Sequence, residues 1–154
     1  MTNGNLKTTY GSNLLSDNQL TVTAAGNIEN GGSTRGKNTT VTFGGDTLKV
    51  TGNIFGYDTL LVQAKINDQI TSGEITNSGT TSGGNVTVKT DGTLALTKGS
   101  FMEATDTLTT KSYWLKNEGY MGADTIAIDN YVTHNYGAIV GQDNVGVKTY
   151  HRAL

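Results

Sequence analysis

Three aspartates recur at nearly equal intervals late in the sequence. Asp106, Asp124 and Asp143 follow one another at a spacing of roughly 20 residues, which is typical of solenoid repeats, and an apolar residue follows each of them two positions later. If a repeated unit brings them to equivalent places, their carboxylates form a row. Such a row could bind Ca²⁺ through oxygen ligands or supply the paired carboxylates of a glycosidase cleft. A local role is the other interpretation, because Asp side chains also hydrogen-bond the backbone of turns.

Asparagine at the start of the earlier repeats favours the turn role. The pattern of Asp or Asn followed by alternating apolar residues also begins at Asn18, Asn38, Asp58 and Asn85. A carboxylate needed for catalysis or for Ca²⁺ would not be replaced easily by an amide. We therefore interpret Asp106, Asp124 and Asp143 as turn positions, and we expect no catalytic residue, metal site or cofactor.

A second motif, Asn-x-Gly preceded two residues earlier by an apolar residue or Thr, occurs four times. Its asparagines are Asn30, Asn77, Asn117 and Asn135. The next Asp or Asn start follows each of them at almost the same distance, at Asn38, Asn85, Asp124 and Asp143. Asn and Gly tolerate positive φ, so the motif predicts turn positions. If the repeats stack, the amides could also bond one another along the axis as a ladder.

The aromatic residues concentrate after residue 100. Tyr113 and Tyr131 are equivalent in neighbouring repeats and should stack, and Trp114 aligns with Val132, which predicts a place in the core. We favour a differently packed core in these repeats. The alternative is a strip that binds a glycan or a protein, since exposed Tyr and Trp are favoured recognition residues. The residues of that strip would be Tyr113, Tyr120, Tyr131 and Tyr136.

The two histidines, His134 and His151, offer little support for catalysis. His134 stands where Lys116 stands one repeat earlier, which indicates a variable, solvent-facing position. The sequence has no G-x-S-x-G nucleophile elbow, no P-loop and no dinucleotide fingerprint before a helix. We therefore expect a protein that is not an enzyme.

The elements that must position all these residues are short strands. Repeat starts at 18, 38, 58, 85, 106, 124 and 143 divide the chain into coils of about 20 residues, of which the coil from 58 to 84 is the longest. Two-residue alternation of apolar residues runs through the coils, whereas helix periodicity is nearly absent. The pattern predicts an all-β, right-handed parallel β-helix (β-solenoid), with the hand taken from the rule for parallel crossovers.

The repeats also define the organisation of the chain. We expect one β-helix segment over 1–154, with an incomplete or capping turn at 1–17, coils over 18–147 and a tail at 148–154. The longest coil contains 65–73, which is either an inserted loop or an extra strand pair. The open ends of such a solenoid expose strand edges, so end-to-end association is a hazard.

Composition excludes several classes of function. Hydrophobic residues make up 34% of the chain and charged residues 16%, the formal net charge is −2, and Pro and Cys are absent. This balance gives no electrostatic case for nucleic acid or an anionic membrane. The apolar runs are too short for membrane insertion, and no signal peptide is visible.

The repeats resemble a known family. Strands of the form D-T-L-x-V, as in Asp46–Val50 and Asp58–Val62, alternate with turns such as Leu115-Lys-Asn-Glu-Gly119. This pattern is similar, over about residues 18–147, to the haemagglutinin repeats of filamentous haemagglutinin-type large exoproteins, which include adhesins and contact-dependent inhibition proteins. The resemblance implies two-partner secretion through an outer-membrane exporter, display at the bacterial cell surface and a part in virulence. The Asn-Pro motifs of the family's exporter-recognition domain are absent, which implies an internal segment.

The sequence therefore predicts a structural shaft segment of a secreted or surface-displayed adhesin. Its partners would be neighbouring repeats of a longer chain, the exporter and a host glycan or surface protein. A β-helical polysaccharide lyase or hydrolase is the first alternative. A phage tail-fibre or ice-binding solenoid is the second, because Thr-x-Thr pairs occur at Thr21/Thr23, Thr40/Thr42 and Thr107/Thr109.

Overall fold

The structure is a computed structural model that describes residues 2–150. Within this range it has fourteen β-strands and no helix, and all strand pairs except β7 with β8 are parallel. The strands stack as a solenoid of about seven turns with roughly 20 residues per turn. The predicted all-β parallel solenoid is thus confirmed. The described part of the chain contains no apolar helix of membrane-spanning length.

Each coil supplies strand segments to three parallel ladders, which we name the first, second and third faces. The first two faces contain β2 (Asn13–Leu15), β3 (Gln19–Ala24), β5 (Ser33–Phe43), β7 (Asn53–Ile66), β10 (Thr80–Lys89), β12 (Phe101–Asn117), β13 (Tyr120–Asn135) and β14 (Ala138–Thr149). The third face contains β1 (Leu6–Thr8), β4 (Ile28–Asn30), β6 (Thr47–Val50), β9 (Glu74–Asn77), β11 (Thr93–Leu96) and the last residues of β12 and β13.

Alternation along each strand builds the core. In β12 the side chains of Met102, Ala104, Leu108 and Thr110 are buried, whereas the residues between them are more exposed. Residues at one register position form a column along the axis, and the apolar inward columns make a single continuous cluster. Each Leu or Ile buried there stabilises the fold by about 1.5–3 kcal/mol.

Side-chain size is matched along the columns. Phe43, the largest of the fully buried side chains, pairs with Ala24 in one neighbouring coil and with Ala64 in the other. The ring fits because the residues on either side of it in the column, Ala24 and Ala64, carry only methyl groups. The interior is close-packed, so side chains larger than alanine would not fit at these two positions.

The longest coil owes its length to a β-hairpin. Lys65 and Ile66 at the end of β7 pair antiparallel with β8 (Gln69–Ile70). The turn between them holds Asn67 and Asp68 at φ of 46° and 63°, the positive values that a two-residue type I′ hairpin turn requires. Of the two alternatives for 65–73, the structure therefore contains the extra strand pair.

Both ends of the described chain belong to the stack. In the predicted incomplete turn, β1 and β2 pair with β4 and β5, and Leu6 and Leu14 pack against the core. At the other end β14 continues through Lys148 and Thr149, which pair with Asp129 and Asn130. The predicted start of the tail at 148 is therefore too early, and 151–154, with His151, lie outside the described residues.

Candidate functional site

The repeated aspartates occupy one column at the bend between the first and second faces. Asp106, Asp124 and Asp143 each precede a residue of the second face, and those following residues pair with one another, as Thr107 does with Thr125. The pairing register shifts at this bend in each coil. The sequence therefore identified the column correctly.

The asparagine argument for that column holds for Asn18, which directly precedes Gln19 and so lies in the aspartate column, but it is wrong by one position for Asn38 and Asn85. Asn38 pairs with Thr59 and Asn85 with Thr107, so these asparagines follow the aspartate column instead of continuing it. The aspartate position in their coils is taken by Lys37 and Gly84.

The contacts of the aspartates run between coils. Asp58 lies 3.6 Å from Lys37 Nζ, and Asp106 Oδ2 accepts a hydrogen bond from Asn85 Nδ2 at 3.4 Å. Hydrogen bonds from the backbone of their own turns are not seen among the described residues. Within residues 2–150, no three His, Asp or Glu side chains come close enough together to hold a metal ion.

The Asn-x-Gly asparagines end the third-face strands with their side chains inward. Asn30, Asn77 and Asn117 are buried. None of these asparagines has a positive φ: among the non-glycine residues of the described range, positive φ values occur at Asn67 and Asp68. The asparagines therefore do not use the left-handed region, and they end the strands directly before the predicted turns.

These asparagines tie neighbouring coils together at the corner. The same bond occurs three times: Asn30 Nδ2 donates to the Asn53 carbonyl (3.0 Å), Asn77 Nδ2 to the Phe101 carbonyl (2.8 Å) and Asn117 Nδ2 to the Ala138 carbonyl (3.1 Å). The predicted ladder is interrupted, since Val50 and Leu96 share the column. Direct amide contact occurs between Asn117 and the exposed Asn135, at 2.8 Å.

A row of three tyrosines lies at the corner between the second and third faces, and we name it the tyrosine corner. The rings of Tyr113 and Tyr131 stack with centroids 5.1 Å apart, as predicted, and Tyr150 continues the row at 5.5 Å. All three side chains are exposed, so the packing interpretation is wrong for this pair. Tyr150 was missed, although it follows Tyr131 at nearly the spacing that relates Tyr131 to Tyr113.

The tyrosine corner borders a groove of about 410 Å³ with polar walls. The other lining residues are Asp91, Lys111, Ser112, Asp129 and Asn130. Ser112 Oγ and Asn130 Nδ2 are buried and have no hydrogen-bond partner in the described part of the chain. Unpartnered buried polar atoms are costly, so these inward positions lower the stability of the coils beneath the groove.

A cation adjoins the end of this row. Lys148 Nζ lies 4.9 Å from the centre of the Tyr150 ring. A hydrogen bond to Tyr150, and then the charge on the Tyr150 oxygen, raise the pKa of the Lys148 ammonium above its ordinary value. The Lys148 ammonium therefore lies beside the ring that ends the row.

Tyr136 belongs to a different cluster. His134 lies edge-on to Trp114 at 5.3 Å and within 6.2 Å of Tyr136, whose side chain is 74% exposed. Trp114 pairs with Val132 as predicted, but it is 41% exposed and does not fill the core. The chain turns between faces at this point, so two consecutive residues, Tyr113 and Trp114, point outward.

Tyr120 lies in a third place, on the first face. Its ring packs 6.0 Å from Phe101 and lies over Gly122, where a Cβ atom would collide with it. It lines a groove of about 490 Å³ together with Phe55, Glu103 and Asp124. The sequence pattern did not single out Glu103 or Phe55. They share one column, but the other coils hold different residue types there, so no repeated residue marks the position.

The threonine pairs form no regular array. Thr21 and Thr40 are paired in adjacent coils, but Leu61 follows them in the column. Thr87 and Thr109 are likewise followed by Ala127. A flat, continuous threonine surface is therefore absent from the described coils.

The four tyrosines named from the sequence thus fall in three separate places. Tyr113 and Tyr131 share the tyrosine corner, Tyr120 lies in the first-face groove, and Tyr136 lies beside His134. The chain matches no protein-family model, no curated protein and no solved structure in comparisons with known proteins.

Proposed function

We propose that this chain is a non-enzymatic shaft segment of a secreted or surface-displayed bacterial exoprotein of the filamentous haemagglutinin type. The observation that carries the proposal is the parallel pairing that continues through all of the coils around one core. Backbone hydrogen bonds between coils lie nearly along the axis, so a force along the axis acts on many of them together. The D-T-L-x-V repeats support the choice of family, its exporter and its place at the cell surface.

Single-molecule force spectroscopy tests the shaft role. The chain is held at its two ends and pulled along the axis. Release of one coil of roughly 20 residues should lengthen the chain by about 70 Å, at about 3.5 Å per residue. A series of such steps is expected. Extension without measurable resistance would contradict a mechanical role.

Direct adhesion, if this segment contributes it, is proposed at the tyrosine corner. Stacked exposed rings offer a flat apolar surface for a sugar or a partner's apolar side chain. The groove beside them presents Asp91, Asp129 and Lys111 for polar recognition. A host glycan or surface protein is the proposed partner.

A glycan array and a cell-binding assay test this adhesion. The variant Tyr131→Ala removes the central ring of the corner and should lower binding by at least tenfold. Tyr10→Ala is the matched control, because Tyr10 is almost fully exposed at the other end of the stack. Equal binding by the two variants would rule out the corner as the adhesive surface.

A polysaccharide lyase or hydrolase remains the second candidate, on one observation. Glu103 and Asp124 line the same first-face groove with Tyr120 and Phe55. Glycoside hydrolysis uses two carboxyl groups that flank the scissile bond. Release of reducing ends from polysaccharides that stops in the Glu103→Gln variant would favour the enzyme over the shaft.

A further inference from the structure

We propose that the chain assembles head to tail with a second copy of itself, with β14 of one copy pairing in parallel with β2 and β3 of the next. The proposal concerns the two ends of the stack. It is stated for the 154-residue chain and follows from the pairing register of the described residues; in a longer shaft, neighbouring repeats would occupy the same edges.

Both ends carry free strand edges. The twelve-residue strand β14 pairs with β13 on one side, and no strand within residues 2–150 covers its other side. At the opposite end, β2 and β3 pair with β5, and apart from the bridge of Thr2 to Ala24 their outer edges are free within the same range. Free N–H and C=O groups in a row are a template for another strand.

The inward side chains of the two ends belong to the same columns. Carried through the stack, the register aligns Ile139 with Leu14, Val145 with Leu20 and Val147 with Val22. A head-to-tail junction would therefore extend each apolar column by one coil. Val147, which is half exposed in the single chain, would then be covered as Val41 and Val62 are.

One outward column also matches. Val140 and Leu15 occupy the same column, and their side chains are 46% and 56% exposed. In the junction these two apolar side chains would lie against each other across the new strand pair. Cross-strand apolar pairs of this kind stabilise sheets and fix their register.

The third face makes the ends complementary in shape. At one end, β13 carries a third-face segment that no strand within residues 2–150 covers on its outer side. At the other end, β1 is the outermost strand of the third face, where it pairs with β4. In the junction β1 would lie on the end of β13, and β14 with β1 would complete one coil from two chains. Thr8 would meet Asn135 in the column where it already bonds Asn30, at 2.9 Å.

The charges at the junction do not oppose this pairing. Lys7 would stand beside His134, in the column where it forms an ion pair with Glu29 at 2.7 Å in its own chain. Lys148 would stand beside Thr23, and the new pairing would end there because Thr2 already covers Ala24. The junction brings no two carboxylates and no two lysines into direct register.

Because the two surfaces are different, the contact is heterologous and produces open filaments. We expect sedimentation velocity of the 154-residue chain to show linear assemblies whose mean length rises with concentration. Val140→Lys blocks only the β14 end and Leu15→Lys only the β2 end, so each variant alone should be a monomer. Mixed together they retain one compatible pair of ends and should form dimers and nothing longer.

Two further variants complete the test. Tyr57→Lys places the same charge on an exposed residue away from both edges and should assemble like the wild type. His134→Glu offers Lys7 a carboxylate and should lower the concentration needed for assembly several-fold. Circular dichroism checks that every variant is folded. A wild type that stays monomeric at its highest soluble concentration, a mixture that stays monomeric, or dimers of Val140→Lys alone would overturn the proposal.

Discussion

At the scale of single residues, the buried asparagines replace apolar packing with hydrogen bonds that join coils. Asn117 donates to Ala138 and Asn135, and its Oδ1 accepts from the Gly119 N–H at 3.1 Å. Asn117→Ala would leave the buried Gly119 N–H without its partner and remove both bonds to the next coil, so it should lower the free energy of unfolding by about 1–3 kcal/mol. Urea unfolding followed by circular dichroism measures the loss.

The neighbouring coil provides the control for Asn117. Asn135 occupies the same column but is exposed, and water replaces its bonds in an alanine variant. Asn135→Ala should therefore cost less than about 1 kcal/mol. Equal effects of the two substitutions would contradict the coil-joining role of Asn117.

A surface ion pair gives a pH-dependent prediction at the same scale. The hydrogen bond from Lys7 to Glu29, and then the charge of Lys7, hold the pKa of the Glu29 carboxyl below its ordinary value. The pair therefore stabilises the fold above the unfolded-state pKa of Glu29, and this contribution is lost as the pH falls through the lower, folded-state pKa. NMR titration should show a higher Glu29 pKa in Lys7→Ala than in the wild type, and an unchanged pKa would refute the pairing.

At the scale of elements, the hairpin is an addition to a coil of ordinary length. Without residues 65–70, Ala64 and Ile75 would be separated as Phe43 and Leu48 are in the coil below. Deletion of this segment should keep the solenoid intact and change the free energy of unfolding by less than about 2 kcal/mol, because the loop it removes lies outside the stack. Circular dichroism and urea unfolding measure both quantities, and loss of the β-sheet spectrum would contradict the register.

Strand alternation and spacing were enough to predict the solenoid, because inward residues must recur at a fixed interval for coils to stack. They were not enough for the bends. Asn38 and Asn85 follow the aspartate column because bends hold different numbers of residues in different coils. Trp114 was assigned to the core from its alignment with Val132, but a turn of the chain beside Tyr113 points it outward.

The candidate sites were predicted only in part for a related reason. Tyr113 and Tyr131 could be found because equivalent residues in a solenoid stack. Glu103 and Phe55 come together through a column whose members differ in type, so no repeated letter marks them. Repeat spacing identifies residues that recur from coil to coil, whereas the lining of a groove depends on residues that differ between coils.

At the scale of the whole molecule, stability should fall toward the last coils. Inward positions of coils near the end hold Thr110, Ser112 and Asn130, which have polar atoms without partners among the described residues, and β14 is mostly exposed. In a solenoid each coil is held mainly by its neighbours. Amide hydrogen exchange should therefore be slowest over 48–108 and fastest over 138–149.

The exchange experiment is best done on Val140→Lys, which cannot cover β14 with a second copy. A gradient in the opposite direction, with β14 protected longest, would contradict this distribution of stability. In the wild type at high concentration, added protection confined to β14, β2 and β3 would also report the head-to-tail junction.

The central claim is a straight stack of parallel coils, and a distance between spin labels tests it most directly. Lys7 and Lys116 share an outward column of the third face and are five coils apart, and the chain contains no cysteine to interfere with labelling. Labels at Lys7→Cys and Lys116→Cys, diluted with unlabelled protein, should be separated by about 24 Å with a narrow distribution, at about 4.8 Å per coil. Moving the second label to His134→Cys should add about 5 Å. A broad distribution, or a separation that does not grow with coil number, would contradict the solenoid shaft.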